Sequence, residues 1–517
     1  MEIAPDRLVK LQRFREAGVE PYPAGSSLPD RTLIAEVLKN SDPDQPVKDD
    51  QPPVSVAGRI ASLRDMGSSM FLDLRDGSGR VQLFLRKAAL GPDLFKLLKK
   101  GLDLGDVIAA VGRLGRTKMG EITIFCDQAQ LLTKSLAAPP GEYYGLSDVE
   151  TRYRQRYIDL IANPESQQRF RARSAIVRDM RRSLEDRDFM EVETPMLHAI
   201  AGGAAAKPFF THHNTLDLDL TLRIAPELHL KRLLVGGFER VFEIGRNFRN
   251  EGLSPRHNPE FTMLEAYWAY ARMDDWIEST EELLAQLVVD HGQRDEGDAE
   301  TSLRREGRQL DFSRPFARAT YAELLQEHGD VDVFDEQSVL EGARRQRMPV
   351  EGRSLDKIID DLFGECVEAH LVNPTFVTDF PLSLSPLSKQ RPGDERLAER
   401  FELYIDGIEV ANAFSELNDP EDQLRRFEAQ VASRDPETPA KVDEDYVTAL
   451  SYGMPPAAGI GIGIDRLVMM LTDAQTIRDV ILFPLLRPVQ DSEEPAGEPG
   501  GSTEDGAQAS DVSDGAS

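Results

Sequence analysis

Over residues 54–133 apolar and polar positions alternate in short runs, the period-two pattern of strands buried on one face. The runs fall at residues 54–60, 70–74, 81–85, 107–112 and 122–125, and Asp76-Gly77-Ser78-Gly79 supplies a turn after the second. A stretch of helical periodicity near residues 92–100 separates the third run from the fourth. Beyond residue 150 the period lengthens, and Phe170, Ala172, Ile176, Val177, Met180 and Leu184 recur at helical spacing. That helix ends before an extended run, residues 189–195, whose closing Pro195 keeps the preceding residue out of the helical region. From there to about residue 489 strands and helices alternate, with residues 292–308 reading as a surface loop. Ahead of the β-rich stretch, the first 50 or so residues predict one or two short helices and a polar connector that ends at Pro52-Pro53.

Five short strands with a helix between the third and fourth predict a small barrel of the OB type. The chain is thereby expected to divide into a helical extension and connector (1–53), the barrel (54–135), a linker (136–150), a large domain (151–489) and a tail (490–517). The tail holds eight acidic residues and no basic one from Asp491 onward, a composition that predicts disorder.

Composition narrows the function classes. Hydrophobic residues make up 40% of the 517 and charged ones 29%, as in globular proteins. No apolar stretch reaches the roughly 18–20 residues of a membrane helix, and the first residues carry no basic start with an apolar core behind it. Cys126 and Cys366 lie too far apart for a paired zinc or redox motif. A soluble, cytoplasmic protein with no membrane partner is the expectation. The net charge of −29 argues against non-specific nucleic-acid binding, yet residues 152–187 carry ten arginines, enough for a local basic face. Only 14 of the 61 basic residues are lysines, and such an acid-rich, lysine-poor surface suits a high-salt cytoplasm.

Three segments of the large domain carry candidate chemistry. In the first, a strand at 241–244 enters a polar loop with Arg246, Arg249, Arg256 and His257, and a second strand leaves it. Ordering so many cations calls for an anion, the alternative being a solvated arginine-rich loop above an ordinary half-buried strand, and alternation along the exit strand puts Phe261, Met263, Glu265 and Tyr267 on one face. In the second, Asp406-Gly407 between two β-runs signals a two-residue hairpin turn. That register pairs Ile405 with Ile408, Tyr404 with Glu409 and Glu402 with Ala411, which makes Glu402 and Glu409 diagonal neighbours able to share a divalent cation. In the third, Gly459, Gly461 and Gly463 alternate before an apolar helix with Arg466 near its start, so a backbone or ligand can approach closely. Neither a dinucleotide fingerprint nor a P-loop is present.

Together these segments resemble the signature motifs of class II aminoacyl-tRNA synthetases: the helix and strand ending at Pro195, Phe248-Arg249-Asn250-Glu251, and Gly461-Ile462-Gly463-Ile464-Asp465-Arg466. The barrel is shared with the lysyl, aspartyl and asparaginyl subgroup. Residues 202–209, 211–214, 223–228 and 414–419 look like those of bacterial lysyl-tRNA synthetases. The resemblance implies an α+β fold, with an OB barrel ahead of a catalytic domain built on an antiparallel sheet flanked by helices. It implies ATP, L-lysine and tRNA(Lys) as substrates, Mg²⁺ as the metal and a homodimer around Pro195.

The resemblance also assigns roles. Arg249 would bridge the α-phosphate and the amino-acid carboxylate, a task for a guanidinium fork. Phe261 would stack on adenine with Glu251 at its amino edge, and Arg256, His257 and Arg466 would hold the outer phosphates. Glu402 and Glu409 would bind Mg²⁺. Gly203, Glu227, Glu265 and Asn412 would receive the amino and carboxylate groups of lysine, and Tyr267 and Glu416 its ε-ammonium. An unpaired Glu416 would reject uncharged isosteres strongly. In the barrel Arg64, Phe71, Gln82 and Glu121 match anticodon-reading positions. Lys207 stands where relatives commonly carry arginine, and the acidic tail lies outside the family pattern.

Overall fold

The structure, a computed structural model, describes residues 3–40, 52–140, 146–433 and 441–488. Most of the expected connector, residues 141–145 of the linker and the whole acidic tail lie outside the described residues. The described residues up to Pro484 form one compact unit.

Two short helices, Pro5–Glu16 and Ile34–Asn40, precede the barrel as the sequence predicts. The barrel consists of β1 (Val54–Asp65), β2 (Ser69–Arg75), β3 (Arg80–Arg86), β4 (Val107–Arg116) and β5 (Ile122–Thr133), closed in the order β1-β2-β3-β5-β4. Alternation turns Val56, Leu72, Leu83, Ile108 and Ile124 inward, and the helix Pro92–Gly101 covers one end with Phe95 and Leu98. Closure leaves no open edge.

The larger part of the chain builds on β6 (Met190–Glu191), a small three-stranded sheet of β7 (Leu197–His198), β8 (Phe210–His213) and β9 (Leu218–Leu222), and the pair β10 (Arg240–Phe248) and β11 (Glu260–Ala269). There follow β12 (Ser302–Arg305), β13 (Arg308–Asp311), β14 (Ala317–Thr320), β15 (Thr375–Thr378), β16 (Arg400–Ile405), β17 (Ile408–Ser415) and β18 (Ala457–Gly463). The main sheet has eight strands in the order β14-β15-β16-β17-β18-β11-β10-β6.

One expectation is refined and one needs correction. The six central strands of the sheet are antiparallel neighbours as expected, and only the two edge strands run parallel to theirs, β6 to β10 and β14 to β15. A parallel pair needs a crossover, and the helices between residues 321 and 366 supply one for β14 and β15. Residues 292–308 are not all surface loop, because β12 begins at Ser302 and forms a hairpin with β13. Its charged sequence hides the strand; Leu303 is fully buried and Arg305 is nearly so, with its Nε 2.8 Å from the Asp406 carboxylate.

The sheet has a packing face and an open face. Leu264 and Ala266 of β11, Ala411 and Ala413 of β17, and Ile460 and Ile462 of β18 meet Ile176, Met180 and Leu184 of the helix Pro164–Glu185. The helices Met273–His291 and Ile464–Leu471 join the same core through Trp276, Leu284, Leu467 and Met470. With alternate residues committed to the core, their neighbours on β11, β17 and β18 face the other way, toward a cavity.

Candidate active site

β10 and β11 pair in continuous antiparallel register from Arg240 with Trp268 to Phe248 with Glu260, and the polar loop spans residues 249–259 between them. Phe261, Met263, Glu265 and Tyr267 all line one cavity of about 420 Å³, on the face that alternation assigned them. Gly203, Glu227, Arg249, Glu251, Arg256, His257, Glu409, Asn412 and Arg466 line it too. Glu402 and Glu416 are buried and stand behind its lining.

One end of the cavity is cationic. Arg249 is anchored through its backbone N–H to the Pro259 carbonyl (2.9 Å), and its guanidinium lies over the Phe261 ring, 5.2 Å from the centroid. Its Nε is buried without a hydrogen-bond partner, as for a group waiting for an anion. Arg466 donates to the Glu409 backbone carbonyl (2.8 Å) and carboxylate (3.0 Å), and its Nη2 reaches His257 Nε2 at 3.2 Å. Burial, and then the Arg466 charge, lower the His257 pKa, so the ring is neutral at pH 7. With Nε2 accepting from Arg466, the ring proton sits on Nδ1 and donates to Ser254 Oγ, 2.9 Å away. Arg256 donates to the Gly407 carbonyl at 3.1 Å. Asp465 fastens this end to its surroundings, accepting from Arg173 Nη1 and from the Thr262 N–H, both at 2.6 Å.

The hairpin β16–β17 turns through Asp406 and Gly407, both with positive φ (54° and 66°), as a two-residue primed turn requires. Ile405 pairs with Ile408 and Tyr404 with Glu409 as expected, but the register then slips, so that Leu403 faces Ala411 and Glu402 faces Asn412. The expected pairing of Glu402 with Ala411 is therefore corrected by one residue. The slip is a β-bulge, with Val410 the extra residue. It has a chemical result: an unbroken strand would put Glu409 and Asn412 on opposite faces, and both line the cavity.

Arg400, which sequence reasoning missed, holds this region together. Its Nε donates to Asn412 Oδ1 (3.1 Å), its Nη1 to the Leu384 carbonyl (3.0 Å) and its Nη2 to Glu402. Tyr404 also donates to Glu402, at 2.6 Å. Burial raises the Glu402 pKa against the pull of Arg400, and Glu409 adds to the rise. Two mutually repelling carboxylates have the donor chemistry of a hard divalent cation. Among the described residues no group of three or more such ligands gathers at one point.

The other end of the cavity is anionic and deep. Gly203, at φ 87°, rests on Glu227, where an added Cβ would meet the Glu227 Cβ at 3.0 Å. Glu265 accepts from the Tyr267 hydroxyl at 3.2 Å, and its pKa is pushed up to about 8 by burial and by the Glu227 charge. Glu416 is 1% exposed. It does not stand unpaired, as the sequence reading assumed: Oε2 is in ion-pair contact with Lys231, and the same ammonium lies 2.6 Å from Glu227 Oε1. Oε1 of Glu416 has no hydrogen-bond partner among the described residues. It lies against Gly459, where an added Cβ would strike it at 2.2 Å and the Tyr267 ring at 2.5 Å. The glycine alternation of β18 thus clears the wall of the cavity. Lys231 was missed because, within Leu-His-Leu-Lys-Arg-Leu-Leu, it reads as the polar side of an amphipathic helix.

On the barrel the cross-strand registers bring one row into line: Arg64 of β1 beside Phe71, Phe71 beside Phe84, Phe84 beside Phe125, and Phe125 beside Arg113 of β4. The Phe71 and Phe84 rings stack at 4.5 Å, and Phe125 meets Phe84 edge-on at 5.6 Å. Three half-buried aromatics between two arginines form a surface suited to unstacked bases. Gln82 is buried beside the row with Thr123 Oγ1 2.9 Å from its Oε1, and Glu121 is exposed at the start of β5. Phe84 and Phe125 passed as ordinary barrel residues in the sequence, because their alignment depends on register.

Residues 148–487 match the family of class II tRNA synthetases (D, K and N), and residues 54–132 match the OB-fold nucleic acid binding domain. The chain is 48% identical to the lysine–tRNA ligase of Magnetococcus marinus over 93% of its own length and 96% of that protein's. It is 49% identical to that of Carboxydothermus hydrogenoformans over 94% and 98%. Against the lysine–tRNA ligase of Escherichia coli it is 49% identical over 84% and 87%.

Proposed function

The chain belongs to the class II tRNA synthetases of the D, K and N group, and from that premise we propose that it joins L-lysine to tRNA(Lys) through a lysyl-adenylate. The observation that carries the choice of lysine is Glu416, a carboxylate buried behind the cavity lining at Gly459, with Oε1 outside its ion pair with Lys231. An aspartyl or asparaginyl substrate would meet repulsion or no partner there. Lys231 does not reverse this, because Glu227 and Glu416 both share its charge.

In the first step the lysine carboxylate attacks the α-phosphorus of ATP in line and pyrophosphate leaves. Arg249 spans carboxylate and α-phosphate, and Arg256, His257 and Arg466 receive charge on the departing phosphates. Phe261 carries the adenine and Glu251 reads its amino edge. Gly203, Glu227 and Glu265 take the α-amino group, Asn412 the carboxylate side, and Tyr267 and Glu416 the ε-ammonium. No side-chain nucleophile is required, since positioning and charge stabilisation carry nucleotidyl transfer. Glu402 and Glu409 suit Mg²⁺, which when bound neutralises phosphate charge. In the second step a terminal ribose hydroxyl of the tRNA takes the lysyl group and AMP leaves.

Anticodon reading is assigned to Arg64, Phe71, Gln82 and Glu121, with Phe84 and Phe125 extending the stacking surface. The corresponding division is a barrel domain over 54–135 and a catalytic domain over 151–489, joined by 136–150. A homodimer through β7–β9 is supported by the exposure of Leu197 (49%) and Phe210 (79%) in that small sheet, and sedimentation would detect it. Among the described residues no helix is long and apolar enough to cross a membrane, in keeping with a cytoplasmic place of work. Aminoacylation assays with each amino acid and purified tRNAs test the whole reading: lysine on tRNA(Lys) is the expected pair, and charging of another amino acid would overturn it.

A further inference from the structure

We infer that Lys231 is a specificity-determining positioning residue, whose ammonium group sets the charge of the amine pocket and aims one oxygen of Glu416 at the substrate. This rests on the lysine reading above and deepens it.

The argument begins with charge. Glu227 from the helix Glu227–Val235, Glu265 from β11 and Glu416 beyond β17 converge in one buried region, at 6%, 5% and 1% exposure. Three carboxylates in low dielectric cannot all ionise unless cations answer them. Lys231, one helical turn after Glu227 and with no exposed surface, answers one of the three. The two net negative charges that remain match the α- and ε-ammonium groups of lysine, whose carboxylate is left for Arg249. The other ionisable groups facing this region are Tyr267 of β11, Arg400 of β16, Tyr446 of the helix Glu444–Ser451, Arg249 at the far end and Arg223, which is paired with Glu243. Arg400 is already committed to Glu402 and Asn412.

Geometry adds orientation. Lys231 is in contact with Glu416 Oε2, which leaves Oε1, without a partner, against Gly459. The Lys231 ammonium is itself held between Glu227 and the Phe414 ring, 5.2 Å from the centroid, so it has little freedom to move. Burial pulls the Lys231 pKa down, but Glu227 and Glu416 raise it further, and the group stays charged. Burial raises the Glu416 pKa to about 8 even against the pull of Lys231, with Glu227 adding to the rise; without the Lys231 charge it would rise further, and a protonated Glu416 no longer demands an ammonium partner.

The test compares Lys231→Met with Lys231→Arg in the full chain by ATP–pyrophosphate exchange. The Met variant is expected to raise the lysine KM by roughly 100-fold or more while the ATP KM changes by less than about 3-fold. Its lysine KM is expected to go on falling above about pH 8, where that of the wild type levels off, because Glu416 without Lys231 ionises only at higher pH. The Arg variant, which keeps the charge, is expected to stay within about 10-fold of the wild type in lysine KM. An unchanged lysine KM in the Met variant, an equal rise in both KM values, or an Arg variant no better than Met would each overturn the inference. Should the Met variant not fold, the Arg variant decides: a lysine KM as poor as that of Glu416→Gln counts against it. A wild-type protein that fails to activate lysine sinks the functional reading itself, whereas an active wild type beside an indifferent Met variant sinks only this inference.

Discussion

Arg249 and Glu416 stand at opposite ends of one cavity and fail in different ways when changed. Arg249→Ala is expected to abolish ATP–pyrophosphate exchange, a loss of at least roughly 1000-fold, because the bridging guanidinium acts on both reactants. Glu416→Gln is expected to raise the lysine KM far more than the ATP KM, and steady-state kinetics in both substrates measures the split. Glu265 shares the pH dependence with Glu416, both buried carboxyls with raised pKa values. Burial raises the Glu265 pKa from the ordinary 4.5 to about 8, so the empty protein binds a proton there that the unfolded chain releases. Its contribution to stability is therefore fully present below about pH 4.5 and is lost as the pH climbs through about 8. Lysine expels that proton, so lysine affinity is expected to rise from pH 6 to about 8 and then flatten, and Glu265→Gln is expected to lessen the slope, with Glu416, raised to about 8 by burial, carrying the rest. The motif residues were legible because each lies in a local pattern of arginines, glycines or alternating side chains. Lys231 and Arg400 were not, since a cation on an amphipathic helix or at a strand start looks solvated until its distant partners are known.

At the scale of elements, the turn at Asp406-Gly407 and the strand starts on either side were readable, because primed turns demand those residues. The bulge at Val410 was not. A bulge inserts no unusual residue, and its energy is decided by which faces the neighbouring strands bury. The same limit hid β12, whose Arg305 is buried because Asp406 supplies its countercharge and the Met469 carbonyl a further acceptor. Asp406→Ala is expected to cost roughly 3–5 kcal/mol of stability by stranding Arg305, measurable by denaturant titration. In the barrel, strand number and order followed from pattern, while the aromatic row needed the register. Phe84→Ala is expected to weaken tRNA binding by roughly 1–3 kcal/mol while leaving ATP–pyrophosphate exchange unchanged, and filter binding beside exchange kinetics checks it.

For the molecule as a whole, the net charge of −29 and the arginine-flanked row on the barrel respond to ions in opposite directions. Self-repulsion across the acidic surface is screened by salt, and so is attraction to phosphate. Raising KCl to about 0.5 M is therefore expected to raise the thermal midpoint while weakening tRNA affinity, a divergence that calorimetry and binding assays can follow together. The sheet also sorts its positions by face. On β11 and β18 Leu264, Ala266 and Ile462 belong to the packing, Phe261, Met263, Glu265, Gly459 and Gly461 line the cavity, and Tyr267 and Ile460 serve both. A combinatorial library confined to Phe261, Met263, Glu265 and Gly461 would thus explore new amino-acid preferences on an intact scaffold, and one confined to Leu264, Ala266 and Ile462 would tune thermal tolerance without relearning the chemistry.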